Sequence, residues 1–142
     1  MNDTAESGLA IRIHHTMLPV ADIDRSITFY TTLLGMNLRF RRKSEARMTE
    51  QAHVGYGDGA VRSSIELTQA FGERAPEQVT PTSGHIGIDV TDIRRLCSIL
   101  EQAGVTFRRP LTPNSRPGAR NLTAHILDPD GHDVELIERH DD

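Results

Sequence analysis

Hydrophobic and polar positions alternate with period two over several short stretches of this chain, and two segments of helical period are set between them. From Ile11 to Val20 the alternation puts Ile13, His15, Met17 and Pro19 on one face and Thr16, Leu18 and Val20 on the other, which predicts a strand. Behind Asp22, a helix-capping residue type, Ile23, Ile27, Tyr30 and Leu34 recur at helical spacing, and Gly35 stands where a helix would end. Strands are expected at Met36 to Arg42, Ala52 to Tyr56 and Arg62 to Gln69, joined by a charged connection from Lys43 to Thr49 and a Gly57-Asp58-Gly59 turn. In the last of these, Ile65 and Leu67 point one way, and Arg62, Ser64, Glu66 and Thr68 the other. The order then repeats: a strand at Gly84 to Val90, and a helix capped by Asp92 with Ile93, Leu96, Cys97, Leu100 and Ala103 on one face. Gly104 stops that helix, a strand covers Val105 to Arg109, and a loop Pro110 to Ala119. A strand at Asn121 to Leu127, the tight turn Asp128-Pro129-Asp130-Gly131 and a strand at Asp133 to Glu138 complete the pattern.

The repetition holds a nearly constant register. His85 follows His15, and Asp92 follows Asp22, by 70 positions; Gly104 follows Gly35, and Val134-Glu135-Leu136 follows Ile65-Glu66-Leu67, by 69. An ordered series with one offset marks a duplicated unit. The expectation is an α+β protein of two tandem βαβββ modules, at 11–70 and 84–138. A flexible N-terminus (1–10), a linker (71–83) and a short tail (139–142) flank them.

Composition narrows the function classes. At 142 residues the chain is one compact domain's worth. A net charge of −4 weighs against nucleic acid as a partner, which needs a basic surface. No apolar run is long enough for a membrane span, and the polar N-terminus lacks an apolar targeting core. Cys97 is the single cysteine, so neither a disulfide framework nor a thiolate metal cluster is available. A cytoplasmic protein acting on a small molecule is expected.

Each module contributes one histidine on its first strand and one glutamate on its last: His15 with Glu66, and His85 with Glu135. Both glutamates stand between aliphatic residues that alternate to the opposite face, so both face the concave side, where an unpaired charge would be costly. Two imidazoles and two carboxylates converging on a pseudo-two-fold axis form a neutral site for a divalent cation, whether Ni, Co, Zn, Mn or Fe.

Several stretches together resemble glyoxalase I, of the vicinal oxygen chelate superfamily. They are His15-Thr16-Met17-Leu18, Phe29-Tyr30 with Leu34-Gly35-Met36, Gly55-Tyr56-Gly57, Ile65-Glu66-Leu67-Thr68, Gly84-His85-Ile86 and Asp128 to Ile137. The resemblance spans residues 11–138 and implies a cupped mixed sheet. It also implies His15, Glu66, His85 and Glu135 as metal ligands, with nickel or cobalt favoured, and a homodimer with its site at the interface. The implied reaction isomerises a 2-oxoaldehyde thiol adduct through a metal-stabilised enediolate, with Glu135 as the base and Glu66 its counterpart.

The chain departs from that pattern where the family holds glutathione. Pro19 replaces an arginine, Gln69-Ala70-Phe71 replaces Tyr-Asn-Trp, and near Pro117-Gly118-Ala119 the cation would come from Arg116 or Arg120. His53 and His125 stand at equivalent strand positions usually held by phenylalanine. They would line the cavity as donors or proton shuttles, or else face solvent at strand ends. An enzyme of the same metal chemistry on another substrate, such as an epimerase or a biosynthetic enzyme, is the alternative. A small-molecule sequestering protein is less favoured, since such members lack the ligands, and so is an extradiol dioxygenase, whose triad omits a first-module glutamate. Cys97 is expected in the core, His14 turned away from His15, Arg39-Arg41-Arg42-Lys43 as a solvated strand end, and His132 exposed in a turn.

Overall fold

A computed structural model describes residues 11–57, 63–113 and 121–139. The element order is β1 (His15–Pro19), α1 (Ile23–Thr28) continued by a π-helical turn (Phe29–Leu33), β2 (Asn37–Ser44), β3 (Thr49–Gly55) and β4 (Ser64–Ala70). After a short 3-10 turn (Gly72–Arg74) come β5 (His85–Asp89), α2 (Ile93–Gln102), β6 (Phe107–Pro113), β7 (Leu122–Leu127) and β8 (Asp133–Glu138). The strands form two four-stranded sheets of identical plan, β1-β4-β3-β2 and β5-β8-β7-β6. In each, the first strand runs parallel to the last and the remaining pairs are antiparallel. The mixed sheets and the βαβββ order are those the repeat predicted. Among the described residues no helix is long and apolar enough to cross a membrane.

Local chemistry sets the boundaries. Asp22 and Asp92 each accept a hydrogen bond from the backbone N–H three residues on, at 3.1 Å, capping the two helices equivalently. Gly35 and Gly104 adopt φ of +71° and +78°, the left-handed turn that ends each helix. One face of each sheet is spent on a shared core. Leu18, Val20, Ile65 and Leu67 are buried there from the first module, and Ile88, Val134 and Leu136 from the second, with Ile93, Cys97 and Leu100 of α2.

Four expectations need correction. The first strand begins at His15, not Ile11, so strand alternation does not govern His14; its ring turns toward His15, with Nδ1 atoms 2.8 Å apart. β6 runs from Phe107 to Pro113, taking in the start of the expected loop. It tolerates Pro110 because it is an edge strand with register shifts between Phe107 and Thr112. Met36 lies outside β2, and β3 starts three residues earlier than expected because the β2–β3 hairpin is longer. His132 is not exposed: it retains 1% of its accessible surface.

His132 belongs to the seam between modules, where the β7–β8 turn meets α1. Its Nε2 donates to the Pro19 carbonyl at 2.7 Å, so its Nδ1 accepts from the Thr82 N–H at 3.1 Å. Asp128 Oδ1 accepts from the N–H groups of Asp130 and His132, both at 2.9 Å, and its Oδ2 accepts from the Tyr30 hydroxyl at 2.7 Å. Asp130 accepts from the Ala21 N–H at 3.0 Å and the Ser26 hydroxyl at 3.3 Å. Burial, and then the Asp128 charge, push the Tyr30 hydroxyl far above the usual phenol range, so it stays a donor.

Replacing Tyr30 by phenylalanine leaves the buried Asp128 carboxylate one donor short. Urea denaturation of Y30F is expected to show a loss of about 2 kcal/mol with an unchanged m-value. A loss below about 0.5 kcal/mol would show that the seam does not depend on this bond.

Candidate metal centre

Glu66 and Glu135 occupy the same place in their modules, the third residue of the fourth strand. Ile65 and Leu67, like Val134 and Leu136, bury their side chains in the core, so alternation turns each carboxylate to the opposite face. The parallel first strand brings a histidine to it: His15 Nε2 lies 3.2 Å from Glu66 Oε2, and His85 Nε2 lies 2.8 Å from Glu135 Oε2. Two donors each about 2.1 Å from one divalent ion sit roughly 3 Å apart, so both pairs have the spacing that a shared ion needs. The four residues thus form two pairs, His15–Glu66 and His85–Glu135, with no hydrogen bond or ion pair between the pairs among the described residues. Within those residues no group of three histidine, cysteine or acidic side chains converges to hold an ion.

His53 and His125 lie in mid-strand, each across from its glutamate in the sheet register. Neither faces solvent at a strand end. His53 is buried, stacked on Phe40 with ring centroids 4.3 Å apart. Its Nε2 lies 3.0 Å from Glu66 Oε2 and its Nδ1 2.8 Å from the Ser64 hydroxyl. The neutral ring satisfies both as the Nε2–H tautomer, donating to the carboxylate and accepting from Ser64. In the second module Asp133 stands where Ser64 does in the first. His125 Nδ1 lies 2.8 Å from Asp133 Oδ1, and its Nε2 lies 3.8 Å from Glu135 Oε1, outside hydrogen-bond reach. The neutral His125 is therefore the Nδ1–H tautomer, with its Nε2 lone pair turned to Glu135. Arg108 also pairs with Asp133.

The two carboxylates are held differently. Glu66 Oε1 accepts from Gln51 Nε2 and from the Thr68 hydroxyl, each at 3.0 Å, in addition to His53 on Oε2. Glu135 is met by His85 and, more loosely, by the His125 ring. Sequence reading missed Gln51, Thr68, Ser64 and Asp133 as partners. The alternation that puts Thr68 and Ser64 beside Glu66 was visible, but the cross-strand register that brings Gln51 and His53 alongside was not. Arg116 and Arg120 lie outside the described residues. A separate cavity of about 470 Å³ between the segment leading into α1 and segment 69–79 has no histidine in its lining and includes neither Glu66 nor Glu135.

Burial pushes the His53 ring below the ordinary histidine value, with the Glu66 carboxylate opposing. A ring neutral in the folded protein but protonated in the unfolded chain costs stability as pH falls from about 6.5 toward the lower native value. Metal-free protein should therefore lose stability on acidification through that window, and H53F, which keeps a ring there, should lose less. Equal losses for the two, by urea denaturation at about pH 7.5 and pH 5.5, would contradict the assignment.

A family model described as Glyoxalase/Bleomycin resistance protein/Dioxygenase superfamily matches residues 12–136. The chain is 39% identical over 127 residues to a probable lactoylglutathione lyase of Vibrio parahaemolyticus, covering 89% of this chain and 90% of that one. It is 38% identical to the lactoylglutathione lyase of Haemophilus influenzae, covering 90% and 93% of the two chains. Among solved structures, glyoxalase I from Zea mays superposes with a TM-score of 0.77 at 30% identity, covering 92% of this chain, which spans 45% of the maize one. The trypanothione-dependent glyoxalase I of Leishmania major gives 0.71 at 31% identity, covering 90% and 86%. The chain belongs to the Glyoxalase/Bleomycin resistance protein/Dioxygenase superfamily, on its glyoxalase I branch.

Proposed function

We propose that this chain is a divalent-metal-dependent isomerase of the glyoxalase I type, a cytoplasmic homodimer acting on the adduct of a 2-oxoaldehyde and a thiol. His15 and Glu66 of one protomer, with His85 and Glu135 of the partner subunit, hold one ion, nickel or cobalt by the family resemblance. The observation that carries this reading is the matched pair of half-sites, each with the spacing of two ligands and neither complete in itself. The surroundings of the first half-site support a second copy as its cover: Met17, Leu38 and Phe40 remain 50%, 45% and 46% exposed.

When bound, the ion supplies Lewis-acid polarisation of the two adjacent substrate oxygens, which acidifies the intervening C–H. Glu135 would move the proton from the thiol-bearing carbon to the neighbouring carbonyl carbon, while the hydroxyl proton of the first carbon passes to the oxygen of the second, converting the adduct to a 2-hydroxyacyl thioester. Glu135 suits this role because, among the described residues, its carboxylate has fewer hydrogen-bond donors than Glu66, which Gln51, His53 and Thr68 hold in place. His14, against His15 Nδ1, orients the His15 ring in the same outer-shell manner.

A different substrate within the same metal chemistry remains the second reading, favoured at one place only. Pro19 and Ala70 lack the groups with which the family holds glutathione. The Leishmania relative, trypanothione-dependent by its description, carries the same fold with another thiol.

Turnover of methylglyoxal hemithioacetals by nickel- or cobalt-loaded protein is the test, and E135Q is expected to lower kcat by at least about 100-fold. Metal-free protein that binds a drug-like molecule tightly would point instead to sequestration. The shared site is checked by mixing two inactive double variants, H15A/E66A and H85A/E135A. Subunit exchange should restore about a quarter of wild-type activity, since half the dimers are mixed and each carries one intact site. No restoration after verified exchange would place the site within one chain.

A further inference from the structure

The β2–β3 hairpin carries a dense group of cations, two of which, Arg41 and Lys43, have carboxylate partners. Arg41 pairs with Asp24 and Glu50, at 2.6 and 2.7 Å, and Lys43 with Glu45 at 3.0 Å. Arg42 and Arg47 have none among the described residues, and together with Ser44 and Gln51 they line a pocket of about 170 Å³. A whole drug-sized ligand takes about 300–1,000 Å³, so this pocket suits one end of a ligand.

The pocket is wired to the metal face. Arg42 Nε donates to Gln51 Oε1 at 3.1 Å, and Gln51 Nε2 donates to Glu66 Oε1 at 3.0 Å. The sheet register adds a second link. Pro19 is opposite Thr68, Thr68 opposite Gln51, and Gln51 opposite Arg42, so one cross-sheet row runs from Pro19 on β1 to Arg42 on β2. The cation absent at position 19 is thus present at the far end of the same row. The corresponding row of the second module, Asp89, Ile137, Thr123 and Thr112, offers no cation. Arginine forks suit bidentate carboxylate binding, and two of them line this small pocket with no carboxylate of the described residues on either.

We propose that Arg42 and Arg47 form the carboxylate subsite of this enzyme, holding an acidic end of the thiol half of the substrate while its reacting carbons lie at Glu66 and Glu135. This rests on the thiol-adduct reading above. It gives two cations at the solvated end of the β2–β3 hairpin a binding role.

Calorimetric binding of S-methylglutathione and of its diethyl ester to metal-loaded dimer tests the subsite apart from turnover. Wild type should bind the free acid at least about tenfold more tightly than the diester, and R42Q/R47Q should weaken the acid by roughly tenfold to a hundredfold while leaving the diester unchanged. R47Q alone keeps the Arg42–Gln51–Glu66 chain intact and should lose part of the same preference, whereas R42K/R47K should recover part of it. Equal binding of acid and diester by wild type, or equal loss of both in R42Q/R47Q, overturns the subsite. If no hemithioacetal is turned over but the acid preference exists and falls in R42Q/R47Q, the isomerase reading fails and the subsite stands. If hemithioacetals are turned over without regard to their carboxylates, the subsite fails alone.

Discussion

Side chains on a strand alternate, so a sheet that gives one face to a hydrophobic core has one other face for everything else. That constraint organises this protein. Ile65 and Leu67 are committed to the core, which obliges Glu66 to stand on the opposite surface, and Val134 and Leu136 do the same to Glu135. A carboxylate fixed that way has to be met by donors on neighbouring strands. The parallel pairing of first and last strands delivers His15 and His85 to meet it. The pairing of each glutamate with a histidine is therefore a consequence of how the core is built.

Duplication supplies two copies of this arrangement, and divergence between them gives each a separate task. In the first module Ser64 lets His53 act as a donor to Glu66, and Gln51 and Thr68 complete a carboxylate that is held still. In the second, Asp133 accepts from Nδ1 of the equivalently oriented histidine, whose Nε2 stands 3.8 Å from Glu135, beyond hydrogen-bond reach. One residue, Ser or Asp at the start of the fourth strand, thus decides which histidine tautomer faces each glutamate. The seam through Tyr30, Asp128 and His132 joins the modules without using either glutamate–histidine pair.

The fold was largely legible because a constant offset of 69–70 residues doubled every weak local signal. A single strand histidine says little, whereas His15 and His85 in one register, each with a glutamate in step, point to a shared purpose. The sequence does not reveal what depends on cross-strand register. Gln51 beside Glu66 and Arg42 in a row with Pro19 follow from how β2, β3 and β4 align, which strand periodicity does not specify. His132 was misread for a related reason. A turn residue is ordinarily solvated, and only the docking of that turn on the first module buries it.

Metal binding tests most directly whether the two half-sites are halves of one site. Calorimetric titration of metal-free protein with Co²⁺ should show one ion per chain, and H15A and H85A, in opposite modules, should each abolish that same binding event. If each substitution removed only part of the uptake and left the rest at full affinity, the half-sites would be independent, and the shared metal centre would be wrong.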